Sequence, residues 1–96
     1  MSAVIDAAVA ALNAKLEGEG FDGSAKFVIE GEGAVIVDGT GAHAGEEDTD
    51  VTLTASQDTF EAMMAGDLNP TAAFMSGKLT IDGDMGAAMK LGAVLA

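Results

Sequence analysis

Apolar residues near the start of the chain recur at three- and four-residue intervals. Val4, Ile5, Ala8, Val9, Leu12 and Leu16 fall on one stripe of a helix that Gly18 is placed to end. The period then shortens to two. Ala25, Phe27 and Ile29 alternate with Lys26, Val28 and Glu30 as a strand, and Gly31-Glu32-Gly33 supplies a turn. Ala34 to Asp38 is apolar enough to read as a central strand, whereas the Gly-rich stretch 39–45 offers only a short edge strand around Ala42 to Ala44. Alternation returns from Asp50 to Ala55, where Val51 and Leu53 share one face and Thr52 and Thr54 the other.

Helical signals resume at Ser56, an N-cap with Asp58 in the first turn behind it, and Phe60, Met63 and Met64 mark that helix's buried face. Asn69 is a second N-cap, Pro70 occupies the first helical position where its missing N–H costs nothing, and Gly77 suits the left-handed stop. Ala72, Ala73, Phe74 and Met75 give this short helix an apolar body. Lys78 to Asp82 alternates again with Leu79 and Ile81 on one face, Gly83 breaks the strand, and Asp84 caps a last helix. Met85, Ala88, Met89 and Leu95 form the stripe expected on that helix. The order is helix, four strands, two helices, strand, helix, which predicts an α+β fold with helices gathered on one face of a sheet.

The run Gly66-Asp67-Leu68-Asn69-Pro70, through Ala73-Phe74-Met75-Ser76-Gly77-Lys78-Leu79 and on to Gly83-Asp84-Met85-Gly86-Ala87-Ala88-Met89-Lys90-Leu91, resembles the sterol carrier protein 2 lipid-binding family without a gap. The resemblance extends over nearly the whole chain. It implies a five-stranded mixed sheet with helices enclosing an apolar tunnel, in a small stand-alone member of the bacterial type that forms a single lipid-binding domain over residues 1–96. It also implies a non-enzymatic carrier of fatty acids, sterols or similar apolar molecules. With the cavity between sheet and helices, the residue pattern places Phe60, Met63, Met64, Leu68, Phe74, Met75, Leu79, Ile81, Met85, Ala88, Met89 and Leu91 at or near it, some as ordinary core, with the last helix as gate. The alternative within the family is an accessory module that presents a lipid-like precursor, such as a quinone intermediate, to partner enzymes. Two departures stand out. Family members often carry a Trp on the second strand, where this chain reads Ala34-Val35-Ile36-Val37, and animal members carry a tail beyond the last helix, where this chain reads Val94-Leu95-Ala96.

Composition narrows the function further. At 96 residues the core is small, and a cavity in it forfeits packing contacts, so an empty form is expected to be loose or to retain lipid on purification. The apolar volume comes from Ala, Val, Ile, Leu and six Met, with only four Phe and no Trp or Tyr. Unbranched Met side chains adapt to ligands of different shape, although an apolar stripe is equally what ordinary core requires. Sixteen acidic against four basic residues, all Lys, give a net charge of −12. That balance excludes nucleic acid, because no basic cluster exists to neutralise phosphates, and it excludes polybasic attraction to anionic membranes. A transient membrane contact must therefore rely on apolar contact or proceed against repulsion.

Catalytic chemistry finds no anchor. There is no Cys. Gly18-Glu19-Gly20-Phe21-Asp22-Gly23 satisfies G-x-G-x-x-G, but it follows a helix and precedes a strand, the reverse of a dinucleotide fingerprint. Ser76-Gly77-Lys78 lacks the first Gly of a phosphate loop and has Leu79 where Ser or Thr would hold magnesium. Glu46, Glu47, Asp48 and Asp50 lack the Gly and distal Glu of a calcium loop and read as a solvated charge run, and Asp82 and Asp84 serve turn and cap. His43 is the only imidazole and reads as an edge-strand residue, with no motif placing a Ser beside it. No cofactor or metal is expected. Residues 2–16 lack a secretory signal's basic start and apolar run, and no segment approaches the roughly 20 residues that span a bilayer, so a soluble cytoplasmic protein is expected.

Overall fold

The computed structural model describes residues 3–17 and 20–95. Helix α1 (Ala3–Leu16) is followed by strands β1 (Ala25–Ile29), β2 (Gly33–Asp38), β3 (Gly41–Ala44) and β4 (Val51–Ala55). Helices α2 (Gln57–Met64) and α3 (Pro70–Met75), strand β5 (Leu79–Gly83) and helix α4 (Met85–Leu95) complete the chain. The strands form one mixed sheet in the order β3-β2-β1-β4-β5, with β1 and β4 parallel and every other pair antiparallel. Element order and fold class are as the sequence predicts. The Gly18 helix stop lies outside the described residues, as does Glu19 of the G-x-G-x-x-G run.

Register decides which side chains meet. Val35, Phe27, Leu53 and Ile81 lie abreast across β2, β1, β4 and β5, and Val37, Ala25 and Val51 form the next row. These rows face the helices. Ile5, Ala8, Leu12 and Leu16 of α1 cover them at one end, and Ala87, Ala88, Leu91 and Leu95 of α4 at the other. Phe27 and Phe60 pack edge to face beneath α2, with ring centroids 4.8 Å apart.

β2 is an interior strand, flanked by β3 and β1, as its apolar run predicts, and Ala34, Val35, Ile36 and Val37 are all buried although it stands next to an edge strand. The reason is the crossover from β3 to β4. It passes over the sheet's outer face, where Lys26 Nζ donates to the Glu46 carbonyl at 3.4 Å and His43 Nε2 lies 3.4 Å from Glu47 Oε2, close around Ile36. The acidic run is thus a cover for the back of the sheet.

The β3 edge is clasped by α1. The Asn13 side chain donates to the Ala42 carbonyl and accepts from the Ala42 N–H, both at 2.9 Å, so it occupies the place of a neighbouring strand's peptide. Gly41 makes the approach feasible. Its φ is +111°, and a Cβ there would stand 2.9 Å from Asn13 Oδ1.

The caps fall where the sequence places them. Ser56 Oγ accepts from Thr59 N at 3.2 Å, Asn69 Oδ1 from Thr71 N at 2.8 Å, and Asp84 Oδ1 from Gly86 N at 2.8 Å. Gly77 follows α3 at φ +80°. Two expectations need correction. Gly83 does not break β5; it is the strand's last paired residue, opposite Val51, and close to the Asp50 carbonyl. On α4 the buried stripe is Ala88, Leu91 and Leu95, while Met85 and Met89 are 49% and 74% exposed. Two residues of helix rotate the stripe away from both Met, because the small Ala87 and Ala88 let the backbone sit close to β4.

Candidate functional site

A groove of about 320 Å3 opens between α3, β5 and the outer side of α4. Its floor is the inner face of the sheet's β5 edge, where Leu79 is buried, Ile81 half-buried, and Leu53 of β4 reaches in from below. Phe74 of α3 forms one wall. Met85, Ala88, Met89, Gly92 and Ala93 of α4 form the other, and Asn69, Pro70 and Thr71 close the end at the start of α3.

The local sequence explains why the groove exists. α3 is only six residues long, with Pro70 and Ala73 as its buried contacts, so it rests on β5 through small side chains. α4 presents Ala88, Gly92 and Ala93 at the groove, and none of these is large enough to fill the space between the helices. Phe74 at 43% exposure, Met85 and Met89 stand at the mouth instead of filling it. No charged side chain lines the groove, and its polar side chains are the amide of Asn69 and the hydroxyls of Thr71. Asn69 already spends its Oδ1 on the α3 cap. Such a surface can solvate a chain of methylenes and offers nothing to activate a bond.

Six residues of the sequence expectation therefore meet at this groove: Phe74, Leu79, Ile81, Met85, Ala88 and Met89. Phe60 and Met64 line a different groove, of about 510 Å3, between α1 and α2, whose walls are otherwise Ala3, Val4, Ala7, Ala8, Ala11 and Ala65 with Gln57 and Glu61 at the rim. Met63 and Leu91 are fully buried in the core, Leu68 is half-buried against it, and Met75 is 80% exposed, outside both linings. Sequence reasoning missed Leu53, Asn69, Pro70, Thr71, Gly92 and Ala93 as lining residues. The alternation of Val51 and Leu53 put Leu53 on the inner face, but only strand order brings β4 beside β5. For Gly92 and Ala93 the signal is what they lack, since a groove wall made by absent side chains leaves no hydrophobic mark.

Among the described residues, the one carboxyl whose titration is displaced lies away from this groove, at the β2–β3 turn. Asp38 is held below the usual carboxylate range by the hydroxyl of Thr40 at 2.6 Å and the Thr40 N–H at 2.9 Å. Among the described residues no three His, Asp or Glu side chains are grouped to hold a metal ion, and no helix is long and apolar enough to cross a membrane.

Comparison with known proteins agrees with this architecture. The fold is similar to that of sterol carrier protein 2 like 2 from Aedes aegypti, with a TM-score of 0.78, 22% identity and 95% of each chain covered. It is similar also to sterol carrier protein 2 of the same mosquito, solved in complex with the C16 fatty acid palmitate, with a TM-score of 0.75, 21% identity, and coverage of 100% of this chain and 97% of that one. In sequence it is 43% identical over 65 residues to the peroxisomal multifunctional enzyme A of Dictyostelium discoideum, which covers 68% of this chain but only 14% of that enzyme. With the model of the SCP-2 sterol transfer family matching residues 3–96, on top of a five-stranded mixed sheet and an uncharged groove beside its last helix, this chain belongs to that family of lipid-binding and transfer domains.

Proposed function

We propose that residues 1–96 act as a single non-enzymatic lipid carrier whose cargo, a fatty acid or a molecule of similar apolar character, lies in the groove between α3, β5 and α4. The observation that carries this reading is the lining. Phe74, Leu79, Ile81, Met85, Ala88 and Met89 face one space with no charge among them, and the polar groups are gathered at the start of α3. An acyl tail would lie along the apolar wall, with its polar end towards Asn69 and Thr71. The palmitate held by the mosquito protein of the same fold supports that class of ligand.

The energetics suit a carrier. Each methylene leaving water for the groove gains about 0.8 kcal/mol, whereas one leaving a bilayer gains almost nothing, so the site has only to match the membrane to load and unload. A volume of about 320 Å3 stands near the small end of the roughly 300–1,000 Å3 of small-molecule pockets. Met85 and Met89, flexible and half or more exposed, would close over a longer chain, and α4 as the terminal helix is the element that gives way.

Native mass spectrometry of freshly purified protein, followed by solvent extraction, tests the reading. A released fatty acid or sterol-like molecule, or stoichiometric uptake of added palmitate, is the expected result. A released quinone precursor would favour the accessory-module alternative. An empty protein that takes up no lipid would overturn the carrier reading.

A further inference from the structure

The charges and the exposed apolar side chains of this protein are segregated, and the segregation has one direction. All four large apolar side chains that stand out in solvent among the described residues, Phe74, Met75, Met85 and Met89, belong to α3 and α4. The same two segments are free of carboxylates. Residues 68–81 and 85–96 contain no Asp or Glu, although the chain has 16, and they contain two of its four Lys, Lys78 and Lys90. Of the nearby acids, Asp84 caps α4, Asp22 pairs with Lys90 at 3.0 Å, and Asp82 stands opposite Thr52 in the sheet's outward-facing row, on the other side of β5 from Ile81. Lys78 makes no ion pair with any described residue.

We infer that this α3–α4 face docks on the surface of a phospholipid bilayer, with Met75 and its neighbours inserted among the acyl chains and Lys78 against lipid phosphate. The inference rests on the carrier reading for its purpose and on charge for its direction. Desolvating an exposed face is least costly where no carboxylate must be buried, and a protein of net charge −12 can approach phosphates only with a carboxylate-free side leading. Two copies meeting through this face would bring two bodies of charge −12 together, which disfavours self-association. Phe74, Met85 and Met89 also rim the groove, so a docked protein opens its mouth straight onto the acyl layer and cargo need not cross water.

Co-sedimentation with phosphatidylcholine vesicles, run beside uptake of a fluorescent fatty acid from solution, separates docking from binding. Met75→Asp changes a residue outside both grooves; Ala14→Asp adds the same charge on the exposed side of α1; Lys78→Glu is a second, independent change on the docking face. Vesicle partitioning is expected to fall about fivefold or more for Met75→Asp and to fall for Lys78→Glu, with Ala14→Asp like the wild type and solution uptake unchanged throughout. Equal partitioning of wild type and Met75→Asp, or no partitioning by a wild type that takes up fatty acid, would overturn the inference. So would a wild-type dimer in solution that Met75→Asp converts to monomer, because a second copy would then be the occupant. Loss of solution uptake alone, with Met75-dependent partitioning retained, would sink the carrier reading and leave the docking face standing.

Discussion

The two edges of the sheet are finished in opposite ways. At the β3 edge, α1 buries Ile5, Ala8, Leu12 and Leu16 and clasps the strand through both polar atoms of the Asn13 amide, and a loop covers the back. At the β5 edge, α3 touches the sheet through Pro70 and Ala73, α4 offers Ala and Gly, and the large side chains Phe74, Met85 and Met89 stand outward around a groove. One edge is closed by packing and hydrogen bonds; the other carries the groove in which we propose the cargo lies. On that proposal, stability and binding fall to different ends of one small core.

Substitutions at the two edges should separate stability from binding. Leu12→Ala removes a fully buried side chain from the closed edge and is expected to cost about 2–5 kcal/mol in urea unfolding, the largest effect. Asn13→Ala should cost about 1–2 kcal/mol, because both Ala42 peptide groups lose their partner, and hydrogen exchange at Ala42 should accelerate while β5 amides keep their protection. At the open edge the order reverses. Met89→Ser should change stability by less than about 0.5 kcal/mol yet weaken fatty-acid binding roughly three- to tenfold by titration. Equal losses of stability from Leu12→Ala and Met89→Ser would erase the distinction between the edges.

The smallest expected effect concerns pH at the closed edge. Thr40 donates twice to Asp38, and the folded carboxyl therefore titrates below its unfolded value of about 3.9. The stabilisation is complete above that value and fades as pH falls through the folded one. Thr40→Ala should lower stability slightly at neutral pH, with the difference from wild type fading in acid-unfolding curves as pH falls through the titration of the folded carboxyl. A difference that persisted in acid would mean the turn is held by something other than the charged carboxyl.

Much of this was legible in the residues. The Pro70 start, the three caps at Ser56, Asn69 and Asp84, and the alternation of β1, β4 and β5 are local chemistry, and the structure follows them residue by residue. The α4 stripe was misread because Met85 and Met89 satisfy the apolar period as well as Leu91 does, and period alone cannot tell a buried side chain from one at a groove mouth. β2 was rightly read as an interior strand, but what covers its outer face was not legible. Its apolar run reports burial on both faces, and whether neighbouring strands or a crossing loop supply that burial is invisible in the run itself.

By itself, the sequence determined the elements, their order, the fold class and the absence of carboxylates from Leu68 to Ile81 and from Met85 onward, because caps, turns and periodicity act within a few residues of one another. Only the tertiary structure decided that Leu53 joins Leu79 and Ile81 at one groove, that Phe60 and Met64 belong to another, and that Met63 and Leu91 are fully buried in the core. A cavity is volume that side chains from distant segments fail to fill, and it takes shape only when strand order and helix seating bring those segments together.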